Sequence, residues 1–342
     1  MTEVPRLGPT VHRLVLGDAR DMGTIPDASA HLVVTSPPYA FLKEYRPGVQ
    51  GQLGNILDYD SFLLELDRVW AECERILVPG GRVTCVVGDV CLSRRRAKRH
   101  YVLPLSADIQ VRARRLGLDC LTPIRWYKVS NIALEASRSS VFLGKPNLPG
   151  GVIKNDIEHI LLLRKPGGYR SPSDEMNRAS RISTDDYTHW FRSIWTDVAG
   201  QLRTDHPAPY PIEVPRRLIR MFSFAGDLVV DPFAGTGTTA LAAWETGRSS
   251  ISYEIDPVYL DMAEERLKGS KVPVVRTSAA VEAKREAARQ LSQGEREGVQ
   301  VDDLLAQLEA ALEPARTAEE LRRAVRAVTK NLKNSQKRLS AG

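Results

Sequence analysis

Two stretches of this sequence carry residue types whose order could do chemistry. The first is Asp231-Pro232-Phe233-Ala234-Gly235-Thr236-Gly237-Thr238-Thr239, which follows the apolar run Leu228–Val230. It reads as a strand, then a turn that only glycine tolerates, then a helix N-terminus with free N–H groups. Gly235-x-Gly237-x-x-Ala240 also satisfies the dinucleotide spacing, and Glu254, seventeen residues past Gly237, closes the next apolar run. An acid in that place accepts from ribose hydroxyls, so the pair indicates an adenosine-bearing cofactor. The residues leave a nicotinamide cofactor and S-adenosylmethionine equally open. No lysine follows the glycines, which excludes a P-loop.

The second stretch is Thr35-Ser36-Pro37-Pro38-Tyr39, at the end of the apolar run His31–Val34. Two prolines supply no backbone donors and hold the chain extended. What remains is a set of acceptors, the carbonyls and the Ser36 hydroxyl, with an aromatic ring beside them. That set suits a planar base with an exocyclic amine, whose N–H groups the acceptors take while Tyr39 stacks on the ring. Alone, a Pro-Pro turn with a packed tyrosine is the plainer account.

The elements that must position these motifs alternate. Strands are expected at Arg13–Leu16, His31–Val34, Arg82–Val87, Leu118–Tyr127 and Ile157–Leu163, with a helix over Tyr59–Leu77 ended by Pro79-Gly80-Gly81. The pattern resumes with a helix at Glu213–Phe224, a strand at Leu228–Val230, a helix at Thr238–Thr246 and a strand at Ser250–Tyr253. This is an α/β fold with a largely parallel sheet. Gly167–Asp205 reads as a long polar loop, and beyond about Lys268 the composition turns to a helical appendage. The 342 residues allow about two domains. The 48 basic and 42 acidic side chains leave a net charge of +6, compatible with nucleic acid but not diagnostic of it.

Cys73, Cys85, Cys91 and Cys120 show no zinc spacing, and no proline precedes any of them, which argues against a Pro-Cys nucleophile. Three sit in apolar runs and read as small buried hydrophobes of a reduced compartment. The start lacks a signal sequence and no apolar run is long enough to span a membrane, so a cytoplasmic protein is expected.

Taken together, the two motifs resemble the amino-methyltransferases of DNA, in the circularly permuted (beta-group) arrangement where the catalytic tetrapeptide precedes the cofactor loop. The resemblance runs from about Arg13 to Leu267 and includes Gly17-Asp18, Leu77-Val78-Pro79-Gly80-Gly81, Trp126-Tyr127-Lys128, Glu158-His159-Ile160 and His206-Pro207-Ala208-Pro209-Tyr210-Pro211. It implies a Rossmann-like S-adenosylmethionine-dependent sheet divided into a catalytic half (1–166), a target-recognition insert (167–205), a cofactor half (206–268) and a helical extension (269–342). By the same resemblance Ser36, Pro37, Pro38 and Tyr39 are catalytic. Asp18, which would read the adenine amine, joins Asp231, Phe233, Gly235, Gly237, Thr238 and Glu254 in holding the cofactor.

Serine at position 36 is similar to the cytosine-N4 subgroup; the adenine-N6 subgroup usually carries aspartate there. The expected activity is methyl transfer to N4 of a flipped cytosine in double-stranded DNA, with no metal. Arg94, Arg95, Arg96, Arg170, Arg178 and Arg181 are the candidate DNA contacts, and the aromatic residues of the insert, Tyr169, Tyr187, Trp190, Phe191 and Trp195, suit base edges. An adenine-N6 enzyme, a nicotinamide oxidoreductase and a catalytically idle DNA-binding protein are the alternatives. The sequence leaves open a cognate restriction endonuclease and a homodimer as partners.

Overall fold

The computed structural model describes residues 7–39, 48–93, 97–128, 153, 155–200 and 211–281. The strands are β1 (His12–Leu16), β2 (Ala30–Thr35), β3 (Leu77–Val87), β4 (Val90–Leu92), β5 (Tyr101–Leu103), β6 (Asp119–Cys120), β7 (Ile124–Tyr127), β8 (Ile157–Arg164), β9 (Ile194–Trp195), β10 (Leu228–Asp231), β11 (Ser249–Glu254) and β12 (Val274–Ser278). The helices are α1 (Tyr59–Ile76), α2 (Leu105–Arg115), α3 (Asp174–Ala179), α4 (Thr184–Trp190), α5 (Glu213–Phe222), α6 (Thr238–Glu245) and α7 (Pro257–Gly269).

Strand order is β12-β1-β11-β10-β2-β3-β8-β7-β9, with β6 also on β8 and β4–β5 a separate hairpin. The six strands from β12 to β3 pair in parallel, and β8 runs antiparallel between β3 and β7. Parallel strands are covered on both faces, which is why they read as apolar runs. On one face α1 lays down Phe62, Leu66, Val69, Trp70 and Cys73, all fully buried with Ile109 of α2. On the other, Val214, Leu218 and Ile219 of α5 pack with Ala242 and Ala243 of α6. Helix starts follow local chemistry: the Asp58 carboxylate accepts from Ser61 N–H at α1, and Asp256 from Val258 N–H at α7, with Pro257 in the first turn.

Five expectations change. The strand expected over Leu118–Tyr127 is two, β6 and β7, separated by Leu121-Thr122-Pro123, because Pro123 cannot donate to a ladder. The expected boundary near Lys268 falls inside the sheet's support, since β12 pairs with β1 from His12↔Val274 to Leu16↔Ser278. The segment expected as a polar loop from 167 is, through 200, built of α3, α4 and β9, and β9 adds in parallel to β7. Trp190 and Trp195, read as candidate base contacts, belong to the core at 6% and 1% exposure. Arg217 closes this unit onto α5 by pairing with Asp197 and Glu213 and lying over both tryptophan rings. The cysteines also divide: Cys73 and Cys85 are buried, Cys91 is partly buried and Cys120 exposed.

Arg170 is fastened at the sheet's amino edge. Its Nη2 donates to both carboxylate oxygens of Asp227, at 2.8 and 2.6 Å, and the guanidinium lies over Phe224. Asp227, 2% exposed, directly precedes β10. Removing one member of such a pair strands a buried charge. Arg170→Ala is therefore expected to cost about 2–3 kcal/mol in denaturant unfolding, the usual penalty for an unpaired buried group. A midpoint unchanged from the parent would show that Asp227 does not depend on it.

Candidate active site

The two sequence motifs, apart in the chain, line one cleft at the carboxyl ends of β1, β2, β10 and β11. Its walls are Gly17, Asp18 and Ala19 after β1; Ser36, Pro37 and Pro38 after β2; Pro232–Thr236 after β10; and Glu254 and Ile255 at the end of β11. Thr238, Tyr259 and the segment Gly51–Gly54 complete it, around about 900 Å³ of space that includes its open mouth. A crevice at strand carboxyl ends is where open α/β sheets bind ligands.

The polar groups of the cleft are mostly acceptors. Glu254 takes backbone N–H bonds from Gly235 at 2.8 Å and from Ile255 and Asp256 at 3.0 Å. Burial nevertheless pushes its carboxyl up to about 7, because those donors offset only part of the desolvation. Asp18 is held by Arg20, whose Nε donates to both its oxygens at 3.0 Å, while Arg20 also pairs with Glu65. The Arg20 Nη2 reaches Gly51 O at 3.1 Å and so ties the Gly51–Gly54 segment to the same carboxylate. The φ of Gly51 is +83°, a conformation that favours glycine, and a Cβ there would also press on the ends of the Arg20 and Ile255 side chains.

Gln52 lines the cleft with its Nε2 3.5 Å from Asp256 Oδ2, and its buried Oε1 has no hydrogen-bond partner among the described residues. Flipping the amide would set two acceptors against each other, so the orphan is the carbonyl oxygen. Gln52, Leu53, Ile255 and Tyr259 were not legible as site residues in the sequence. The signal available was Gly51-x-x-Gly54 between two elements, which is weak without the fold.

Several expected site residues sit otherwise. Ser36, Pro37, Pro38, Asp18, Phe233, Gly235, Thr238 and Glu254 share the cleft. Asp231 does not line it; the carboxyl is buried beneath, accepting from Thr35 Oγ1 at 2.8 Å and Phe233 N–H at 3.0 Å. Gly237 does not line it either. Its φ is +75°, and a Cβ there would meet Ala263 Cβ at 3.1 Å, so this glycine serves the start of α6 and its packing on α7 rather than cofactor space.

Tyr39, expected to stack on a base, is 8% exposed in the core, with its hydroxyl accepting from Gly88 N–H at 3.0 Å. Stacking would require the ring to leave that packing. Arg170 belongs to the opposite edge, as described, and Arg178 and Arg181 are exposed near it, next to Ser180, whose hydroxyl accepts from Ala225 N–H. Arg94, Arg95 and Arg96 lie outside the described residues.

A family profile describing DNA methylases matches residues 30–265. The type II methyltransferase M.MjaI of Methanocaldococcus jannaschii is 35% identical over 293 residues, 75% of this chain and 91% of its own. The type II methyltransferase M.MthZI of Methanothermobacter thermautotrophicus is 34% identical over 280 residues, 75% of this chain and 77% of its own. Among solved structures, TTHA0409 of Thermus thermophilus, crystallised with S-adenosyl-L-methionine, is 48% identical, with a TM-score of 0.65 over 78% of this chain and 98% of its own. With a methylase profile over more than half its length and relatives matched across most of theirs, this chain belongs to the DNA methylase family.

Proposed function

We propose that the chain transfers a methyl group from S-adenosylmethionine to N4 of a cytosine flipped out of duplex DNA. One observation carries this: the Ser36–Pro38 acceptors and the glycine turn with Glu254 face a single cleft. The cleft suits the cofactor. Glu254 would accept from the ribose hydroxyls, Asp18 from the adenine amine, and Phe233 and Ile255 supply apolar walls for the ring. The orphaned Gln52 carbonyl is a further acceptor beside them. When bound, S-adenosylmethionine supplies an electrophilic methyl group on a sulfonium.

The chain's own work is to present the amine. Ser36 is partly exposed in the cleft, and Pro37 and Pro38 hold the backbone extended beside it without offering a competing N–H. The Ser36 hydroxyl and the Pro37 carbonyl would accept from the exocyclic amine and draw its lone pair out of conjugation toward the methyl group. Catalysis of this kind is positioning in a near-attack geometry. A short hydroxyl at position 36, by resemblance typical of the cytosine subgroup, favours cytosine over adenine.

Ser36→Ala is expected to lower turnover by about 10²-fold, the loss of one transition-state hydrogen bond, while affinity for S-adenosylhomocysteine stays within about threefold. Nucleosides from DNA methylated by the parent protein, identified by mass spectrometry, should include N4-methylcytosine. A dominant N6-methyladenine signal would reassign the base, and no methylated nucleoside would remove the activity altogether.

The raised Glu254 carboxyl makes a second prediction. Ribose hydroxyls donate to the ionised form, so binding favours deprotonation. Calorimetric affinity for S-adenosylhomocysteine should rise with pH until about 7 and level off above it. Glu254→Gln should abolish that dependence and weaken binding by about 1–3 kcal/mol. A parent titration flat between about pH 6 and 8 would contradict the assigned contact.

A further inference from the structure

Strands β2 and β10 carry the two motifs at their ends, yet their backbone pairing stops short of both. The paired residues are Leu32↔Val229 and Val33↔Val230, while β2 continues through Val34 and Thr35 and β10 through Asp231. From there the strands are held by side chains. Thr35 Oγ1 donates to Asp231 Oδ1 at 2.8 Å across 196 positions of sequence. Thr239, in the first turn of α6, lies 3.4 Å from Val34 O and also hydrogen-bonds the Asp231 carboxyl. The same Oδ1 accepts Phe233 N–H. One carboxyl thus touches the residue before Ser36, a cleft-lining residue of the cofactor loop and the helix behind it.

This connection is costly. Thr35 is fully buried and Asp231 is 2% exposed, and the hydrogen-bond partners of the carboxyl are neutral hydroxyls and a backbone N–H. Burial raises its proton affinity, moving the group up to about 6. Ordinary ladder hydrogen bonds would join two strands without burying an acid. What the carboxyl adds is a fixed separation where the strands part to open the cleft.

We propose that Thr35 and Asp231 are positioning residues that set the distance between the amine-accepting site at Ser36 and the cofactor loop 233–238. The proposal rests on the function inferred above. Misplacement of reacting groups by about 1 Å can cost about 10²-fold in rate. Thr35→Val keeps the shape of the side chain and removes the hydroxyl. It leaves Asp231 bound to Phe233 N–H and Thr239, so the cofactor loop stays formed while the carboxyl's direct bond to β2 is lost.

The test uses the full chain and three measurements: single-turnover methyl transfer to duplex DNA with cofactor and DNA saturating, calorimetric affinity for S-adenosylhomocysteine, and thermal unfolding. Thr35→Val is expected to slow transfer at least about tenfold with affinity within about threefold, and Thr35→Ser, which restores the hydroxyl, to recover most of the rate. A general loss of structure would instead lower the unfolding temperature and both functions together. Should Thr35→Val fail to fold, Thr35→Cys, which keeps a side chain of similar size but offers only a weak thiol donor, should show the same split. Rate and affinity falling in proportion, or a rate within about twofold of the parent, would overturn the proposal. A parent chain that neither binds S-adenosylhomocysteine nor methylates DNA would overturn the function and this role with it. A normal parent beside an unaffected variant overturns the role alone.

Discussion

The structure depends on the parallel pairing of β2 with β10. Parallel strands end at the same edge of a sheet, so their following loops must meet there. That is how a proline-rich acceptor motif and a glycine-rich loop, nearly two hundred positions apart, come to line one cleft. The neighbours β3 and β11 hold the pair from both sides, and α5 and α6 seal it with Leu218, Ala242 and Ala243 against Leu32 and Val34. The pair must also separate at its tip, or the space between the motifs would close. Pairing ends at Val33↔Val230, and hydroxyl-to-carboxyl contacts take over where the ladder stops.

Three acids show how sheet edge decides chemistry. Asp227, at the amino edge of β10, is neutralised by Arg170 and accepts Phe224 N–H, an arrangement that spends its charge on stability. Asp231, at the other end of the same strand, and Glu254, at the end of β11, are bonded by backbone N–H groups and, for Asp231, hydroxyls. Burial raises both, because the neutral donors offset only part of the desolvation. Groups held this way keep acceptor capacity for a ligand or for fixing a loop. Along β10 the amino end carries an ion pair and the carboxyl end an acid bonded by neutral donors.

Several residues whose types suited function proved to serve packing. Trp190 and Trp195 belong to the core beneath Arg217, Tyr39 anchors its strand end on Gly88, and Gly237 allows α6 to begin against Ala263. In each case the feature that suggested ligand contact, a large ring or an absent side chain, is the same feature that close packing needs. Composition cannot separate the two uses, since both demand aromatic surface or a missing Cβ.

The sequence by itself determined the alternation of strand and helix, the glycine turn after β10, the acid closing β11 and the acceptor motif after β2. These follow from period, from backbone conformations that few residues adopt, and from donors that proline lacks, all of which act within a few residues. Tertiary structure alone decided that Gly51–Gly54, Ile255 and Tyr259 border the cleft and that Asp231 supports it from beneath. It also decided that Arg170 faces Asp227, that β9 joins the sheet and that β12 extends it past the expected boundary. Those outcomes turn on which distant residues meet when apolar faces are buried. A side chain's local pattern carries no record of the neighbour that folding will place against it.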